Sequence, residues 1–299
     1  MVYNPASGDA RFREELDEWV RGFQSAGYLV SLLRTEADGS TCERVGEALS
    51  LGGFGEADAV VAAGGDGTLN RVANALVRCG CRAPLAVIPA GTANDFARFI
   101  GAPGDVAAAC KALAARNVVC ADIGAVNGLH HFVNVCAAGM LTNISHYIDQ
   151  DLKNSLGKLA YYIKGLEQIP NFVPLRFKIT TAAEVFEEEL YFFFILNSSG
   201  AGGFDKLSPG AKLDDGLFDF VGFRAFPIFE LPALFLKVLA GDCLDDRRIL
   251  FVRDSFFRVE YLSPPGDKMM MITDIDGEPG PQFPIEVHNM ARHLPILTT

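Results

Sequence analysis

Apolar positions recur with helical spacing in residues 9–26, DARFREELDEWVRGFQSA. Phe12, Leu16, Trp19 and Phe23 share one face there, and Gly27 stands where such a helix would end. YLVSLL (28–33) then reads as a strand, and Ser40 with Glu43 fits a capping box for a helix reaching Leu49. AVVAA (59–63) is apolar on both faces, the mark of a buried parallel strand. Residues 69–77 read as helix, LAVIP (85–89) as strand, 94–100 as a short helix and 105–115 as an Ala-rich helix, and NVVCADIG closes the series. Strand–helix alternation predicts a parallel sheet with helices on both sides, in which ligands bind beyond the carboxyl ends of the strands.

From about residue 126 the period is mostly two. HHFVNVCAAG, LRFKITTAA, EVFEEELYFFFILNSS, GLFDFVGFRA, ILFVRDSFFRVEYL, KMMMITDIDG and FPIEVHN read as strands or strand pairs, interrupted by helices near 156–168 and 228–240. The expected fold class is therefore α/β plus β. A doubly wound parallel-sheet domain covers 1–125, with the tail at about 290–299 a candidate to return to it. A β-sandwich-like domain covers 126–289. No flexible linker separates them, so the expected ligand site lies where they join.

Composition narrows the setting. Hydrophobic residues make up 49% and charged residues 21% of the 299, which argues for a packed globular chain. A formal net charge of -11 argues against a nucleic-acid partner, which would need a basic face. Seven cysteines without C-x-x-C or Cys/His clustering predict buried free thiols in a reducing cytoplasm rather than zinc or disulfides. MVYNPASG lacks the look of a signal peptide, and the longest apolar run, near LYFFFIL (190–196), is far short of the ~20 residues that span a bilayer. A soluble, cytoplasmic protein is expected.

The candidate chemistry sits at the strand ends. VVAAGGDGTLN (60–70) runs a buried strand into Gly64, Gly65, Asp66, Gly67 and Thr68. Glycines there let backbone amides approach a phosphate, and a following helix N-terminus adds positive potential. A carboxylate beside phosphates makes sense with a cation between them, so Asp66 suggests a Mg²⁺–nucleotide; the plain alternative is a tight turn with Asp66 as a helix cap. PAGTANDFAR (89–98) repeats the device at the next strand end with Gly91, Thr92, Asn94, Asp95 and Arg98. Asp122 is read as ending the strand after that, so Asp66, Asp95 and Asp122 become candidates to meet near one cation, against capping and turn formation for the last two.

GGDGT followed by PAGTANDFAR resembles the diacylglycerol kinase catalytic domain, shared with sphingosine and ceramide kinases and more distantly with NAD kinases and 6-phosphofructokinases. The resemblance runs along nearly the whole chain. VYNPASG is similar to the family's first strand and loop, and LGKLAYYIKGLEQIP, NSSGAGGFDKLSPGAKLDDGLFDF and DIDGEP are similar, in order and spacing, to the carboxyl-terminal half of the soluble bacterial enzymes. It implies an ATP-dependent lipid kinase that phosphorylates diacylglycerol or a related lipid to phosphatidic acid. Asn4, Thr35, the stretch from Gly64 to Asn70, and Thr92 would be nucleotide contacts. It also implies a second, structural Mg²⁺ held by the Asp215 side chain and the backbone carbonyls of Lys212 and Leu217, where the residues alone favour a D-D-G hairpin turn.

In TDIDGEPG (273–280) two acids flank a glycine. Phosphorylating an alcohol benefits from a carboxylate that accepts the hydroxyl proton, and Glu278 and Asp276 are the candidates. The resemblance puts the base in this turn, with Glu278 as base and Asp276 orienting it; the residues alone favour a surface D-G turn. One departure is Asp9, where related enzymes often carry a basic residue; Arg11 or Arg13 is the candidate substitute.

A lipid kinase without a membrane span has to meet its substrate peripherally. The Phe-rich segments 223–239 and 251–262 are candidates for an apolar lip, although core is the safer place for most of the 23 phenylalanines. Arg98, Lys158 and Lys164 are candidate phosphate or headgroup contacts. Expected partners are a lipid at the membrane surface and, as a further candidate, a second copy of the chain. The alternatives kept open are an NAD kinase-like soluble nucleotide kinase and a noncatalytic nucleotide or lipid sensor.

Overall fold

The computed structural model describes residues 1–8, 11–36, 40–50, 59–139, 173–262 and 271–298. The 156–168 helix, Lys158, Lys164 and Asp9 lie outside the described residues. The chain forms two compact units, Met1–Ala121 with Arg292–Thr299, and Asp122–Ala291.

The first unit alternates strand and helix: β1 (Val2–Tyr3), α1 (Arg11–Ser25), β2 (Leu33–Arg34), α2 (Thr41–Ser50), β3 (Val60–Gly64), α3 (Asp66–Cys79), β4 (Leu85–Pro89), α4 (Asp95–Phe99) and α5 (Val106–Ala115). Its sheet is parallel in the order β4-β3-β1-β2, and the end of β15 (Ile285–Leu297) adds to β4 through Ile296 and Leu85. The apolar stripe of α1 does what its spacing predicts. Phe12, Trp19 and Phe23 are buried, their rings in a 6.0 Å chain, against Val61, Ala63, Ile88 and the α5 residues Ala109 and Leu113. Val60 and Ala62 point the other way and are buried too, so β3 is covered on both faces, as a central parallel strand requires.

Two boundaries differ from expectation. Of YLVSLL only Leu33 is in a strand, with Arg34 after it; Leu29 is fully exposed. This is the sheet edge, and its one neighbour, β1, is two residues long, so there is little ladder to extend. The helix expected from residue 69 starts at Asp66, with Gly65 as its N-cap, so Asp66 does not cap the helix it begins.

The second unit is antiparallel. Its strands are the end of β5 (Val118–Val126), β6 (His130–Phe132), β7 (Val135–Gly139), β8 (Leu175–Thr181), β9 (Val185–Leu196), β10 (Phe218–Arg224), β11 (Ile249–Asp254), β12 (Phe256–Tyr261), β13 (Ile272–Ile275), β14 (Glu278–Gln282) and the start of β15. One helix, α6 (Leu231–Ala240), follows β10 among the described residues. Strands run β14-β13-β7-β9-β8-β12-β15, and β10 joins β9 to β11. This is the β-sandwich-like class. The period of two sorts β9 and β10 between two cores. Phe193, Ile195, Phe218 and Phe220 enter a Phe-rich core with Phe177 and Phe257, while Leu196, Val221 and Phe223 pack under the α6 residues Leu234 and Val238. Phe193 stacks on Phe220 at 5.0 Å and meets Phe177 edge-on at 5.4 Å. That two-sided burial explains why LYFFFIL is continuously apolar in an antiparallel strand.

The Pro-containing EPGPQ strand, β14, is not legible as a strand from propensity; it sits at the end of its row, where a missing N–H is tolerated. All seven cysteines are free. Only Cys136 and Cys243 are fully buried, and Cys79 and Cys120 are exposed, so the expectation of buried thiols holds for part of the set.

Candidate active site

In the first unit the candidate residues follow the carboxyl ends of neighbouring parallel strands: Asn4 after β1, Thr35 after β2, Gly65 and Asp66 after β3, and Gly91 and Thr92 after β4. The strand order reverses between β1 and β3, and such a switch point is where open parallel sheets form their ligand crevice. Backbone bonds hold the ends together. Asn4 N–H donates to the Ala63 carbonyl at 3.0 Å, Thr35 N–H to Tyr3 at 2.9 Å and Ala90 N–H to Gly64 at 3.0 Å. Asn4 Oδ1 accepts the Ala6 amide at 3.0 Å and shapes the first loop.

The glycines have a local reason to be there. A Cβ on Gly64 would strike the Thr68 side chain, one on Gly91 would strike the Gly65 backbone, and one on Gly8, at φ +53°, the Ala90 carbonyl. Three loops therefore meet backbone to backbone. Thr68 and Asn70 are buried on α3, where the Asn70 carbonyl and Oδ1 accept from Asn74 Nδ2 at 2.9 and 3.0 Å. Gly67 directly precedes Thr68, in the first turn of that helix.

The second loop faces the first across Asp66. Its half-buried carboxylate lies beside the amides of Asn94, Asp95 and Phe96, at the start of α4, which favour its ionised form. Burial raises its pKa from the ordinary carboxylate value and the neighbouring Asp95 raises it further, while the three amides oppose the shift. Asn94 adopts a left-handed conformation, φ 51°, and closes the loop on Gly91: Oδ1 accepts the Gly91 amide at 2.9 Å and Nδ2 donates to its carbonyl at 2.7 Å. Asp95 is buried and paired with Arg98, whose NH1 donates to the Ala93 carbonyl at 2.6 Å; Thr92 is exposed. Asp66 and Asp95 are thus brought together.

Asp122 belongs to the second unit. It lies inside β5 rather than at its end, fully buried in the second unit. Its Oδ2 accepts the Gly216 amide at 2.6 Å and its own N–H donates to the Leu213 carbonyl at 2.6 Å, which clips the 212–217 turn to the strand. Among the described residues no three acids, histidines or cysteines gather to hold a metal ion. The strand continues to Val126 because Ile123 and Val126 carry core side chains that one sequence read as a strand end does not reveal.

In the 212–217 turn Asp215 is exposed, and its Oδ1 accepts the Leu217 amide at 3.1 Å, while Gly216 takes φ +78°. Carboxylate and backbone carbonyl oxygens are hard donors of the kind that Mg²⁺ takes. Behind the turn Asp219 is buried in a two-point pair with Arg253 (Nε–Oδ1 2.6 Å, NH2–Oδ2 3.0 Å) and accepts from Ser208.

The TDIDGEPG stretch is a hairpin. Ile275 pairs with Glu278, and Asp276 and Gly277 form its two-residue loop at φ 50° and 90°, both positive as primed hairpin turns require. It is not an ordinary surface turn, because Asp276 is only 4% exposed. Its carboxylate accepts three backbone amides, Val133 at 2.7 Å, Asn134 at 3.0 Å and Val135 at 2.7 Å, and its own N–H donates to the Val135 carbonyl at 3.0 Å. Asp276 therefore spends most of its acceptor capacity holding the turn. Glu278, half-buried, begins β14 directly after it.

Sequence reading missed the polar residues beneath this turn. Asn197 Nδ2 donates to the carbonyls of both Asp122 (2.8 Å) and Val133 (2.9 Å), and Asn134 is bonded to Ser198 and to the Gly200 carbonyl. One bond on each side of Asn197 then reaches the 212–217 turn and the Asp276 turn. The string NSSG carries the signal, polar residues directly after a fully apolar strand, but reads equally well as a loop.

The family model described as "Diacylglycerol kinase catalytic domain" matches residues 1–126, and the model described as "YegS C-terminal NAD kinase beta sandwich-like domain" matches 134–298. A diacylglycerol kinase of Bacillus subtilis (strain 168) is 34% identical over 298 residues, 99% of this chain and 95% of the relative. A diacylglycerol kinase of Staphylococcus aureus (strain bovine RF122 / ET3-1) is 32% identical over 296 residues, 99% and 90% of the two chains. A crystal structure of a diacylglycerol kinase from Bacillus anthracis str. Sterne superposes with a TM-score of 0.79 at 26% identity, covering 100% of this chain and 96% of that one.

Proposed function

The chain belongs to the diacylglycerol kinase family of lipid kinases, phosphotransferases with an alcohol acceptor, and on that premise we propose that it transfers the γ-phosphoryl group of ATP to the hydroxyl of diacylglycerol or a closely related lipid, giving phosphatidic acid or its analogue. The observation that supports this most is the pair of loops after β3 and β4, brought backbone to backbone by the Gly65–Gly91 approach at the switch point of the sheet. Rigid loops with little side-chain bulk suit a polyphosphate.

In this reading Asn4, Thr35, Gly64, Gly65, Gly67, Thr68, Asn70, Gly91, Thr92 and Asn94 hold the nucleotide, and Arg98 is a phosphate or headgroup contact restrained by Asp95. Nucleotide-bound Mg²⁺ supplies neutralisation of the phosphate charge. Asp66 would act on that cation, directly or through water. Glu278 accepts the hydroxyl proton while the lipid oxygen bonds to the γ-phosphorus and the β–γ bridging P–O bond breaks, its electron pair leaving on ADP. Asp276 is the positioning residue that fixes the turn from which Glu278 acts. The Asp215 carboxylate and the carbonyls of Lys212 and Leu217 would hold a second Mg²⁺, which would brace the 212–217 turn. Among the described residues no helix is long and apolar enough to cross a membrane, so in this reading the enzyme meets its lipid peripherally.

The test is phosphoryl transfer from ATP labelled at the γ-phosphate to a panel of dispersed lipids (diacylglycerol, a sphingoid base, phosphatidylglycerol and a polyprenol), with NAD as a soluble acceptor. Label in phosphatidic acid is the expected result. Label in NADP alone overturns the reading in favour of a soluble nucleotide kinase, and nucleotide binding without transfer to any acceptor overturns it in favour of a sensor.

A further inference from the structure

The exposed face of α6 and the turn before it is apolar where a surface helix should be polar. Phe229 is 79% exposed, Leu236 67% and Leu239 48%, and Ala233 and Ala240 on the same side are exposed too. The opposite face, Leu234 and Val238, is buried in the core under β9 and β10. A helix apolar all round is normally buried all round. Lys237 is the one charged residue in LPALFLKVLA, and its Nζ is tied to Asp246 at 2.7 Å.

The charges at the start of the helix are paired, while Asp242 and Asp245 after its end are exposed acids. Arg248 grips Asp246 at two points, both 2.7 Å, and donates to the Glu230 carbonyl at 2.9 Å, while Arg247 pairs with Glu230. These bonds pin the start of the helix. The ridge is therefore preformed, and the exposed charges that follow it, Asp242 and Asp245, are acidic, so it has no field that would attract an anionic surface.

Its size argues about the occupant. The exposed side chains present on the order of 400 Å² of apolar surface, about half of the roughly 800 Å² that each partner of a stable dimer buries. A bilayer interface sets no such threshold, because it takes up apolar side chains in proportion to their area. We propose that Phe229, Leu236 and Leu239 form a preformed, uncharged ridge by which the second unit docks into the acyl boundary of a lipid bilayer. Docking uses packing gaps between headgroups rather than anionic charge. The choice of a bilayer as partner rests on the lipid-kinase reading. The Phe-rich 223–239 segment thus splits, with Phe223 going to the core and Phe229 to the ridge. In 251–262 Phe257 is core.

The test is flotation of the full chain, without nucleotide, on phosphatidylcholine vesicles with and without diacylglycerol and on phosphatidylcholine/phosphatidylglycerol vesicles, each at low and high salt. Binding to the phosphatidylcholine/diacylglycerol vesicles that persists at high salt is expected. Phe229→Ser and Leu236→Gln are each expected to weaken it, and the double variant to lower the partition coefficient by about tenfold or more. Both substitutions are at exposed sites, and an unchanged melting temperature checks the fold. No binding by the parent chain, or variants that bind like it, overturns the proposal. So does binding that needs phosphatidylglycerol and vanishes at high salt, or a dimer in sedimentation that Leu236→Gln dissociates. Flotation without turnover on any lipid supports the ridge while overturning the kinase reading, so the two fail separately.

Discussion

Gly91 and Gly65 approach so closely that a Cβ on Gly91 would collide with the Gly65 Cα, whereas a Cβ on Gly65 would sit 3.3 Å from the Gly91 Cα. The relationship is asymmetric, and so is its consequence. Gly91→Ala forces backbone apart and is expected to cost about 1–3 kcal/mol, the range for overpacking, and to abolish transfer. Gly65→Ala, at an ordinary φ of -89°, is expected to lose less stability. Denaturant midpoints of the two variants check this; equal losses would mean that the loops do not bear on each other as described.

Asp66 has its pKa raised by burial and by Asp95. A carboxyl raised on folding contributes stability that is fully present below its unfolded value and is lost as pH rises through the folded one. The stability of the wild-type chain relative to Asp66→Asn should therefore decline with rising pH across that window. Mg²⁺–ATP affinity, which needs the ionised form, should move the opposite way and fall as the medium is acidified through the raised value, earlier than for an ordinary carboxylate. Calorimetric titration between neutral and mildly acid pH reads it, and an affinity that is flat with pH counts against a cation-facing role. Asp66→Ala is expected to lose transfer in a folded chain.

Glu278 and Asp276 should separate cleanly. Glu278→Gln keeps size and hydrogen bonding but cannot take a proton, so kcat is expected to fall ~10²–10⁴-fold with stability unchanged. Asp276→Asn replaces a carboxylate oxygen by an NH₂ that faces amide donors, leaving buried groups unpaired at about 1–3 kcal/mol, and should lower both melting temperature and kcat. A large kcat loss in Asp276→Asn at unchanged stability, with little loss in Glu278→Gln, would exchange the roles.

Asp215 and Asp122 act on one turn in different ways. Mg²⁺ is expected to raise the melting temperature of the wild-type chain, and Asp215→Ala to remove that rise without weakening nucleotide binding. Asp122→Ala strands the Gly216 amide and should destabilise the fold by about 1–3 kcal/mol with or without Mg²⁺. A wild-type melting temperature indifferent to Mg²⁺ would remove the cation from the 212–217 turn.

Local pattern was enough for most elements. The stripe of α1, the apolar run of β3 and the period-two strands of the second unit follow from which side chains must leave water, and that information is carried by neighbours a few residues apart. The glycines around Asp66 and Gly91 were legible as special, but whether they spare room for a ligand or for each other depends on two loops 25 residues apart meeting, which spacing does not encode. Asp122 and Asp276 show the same limit. Each sits beside a turn-like string, and each proves buried because a distant amide or row of amides, Gly216 for one and residues 133–135 for the other, is aimed at it. A buried carboxylate is tolerable only where such donors converge. The sequence therefore determined which residues were candidates, and the tertiary structure alone decided which carboxylates are bound up in holding the fold, because hydrogen-bond partners are set by where strands pair and not by how residues follow one another.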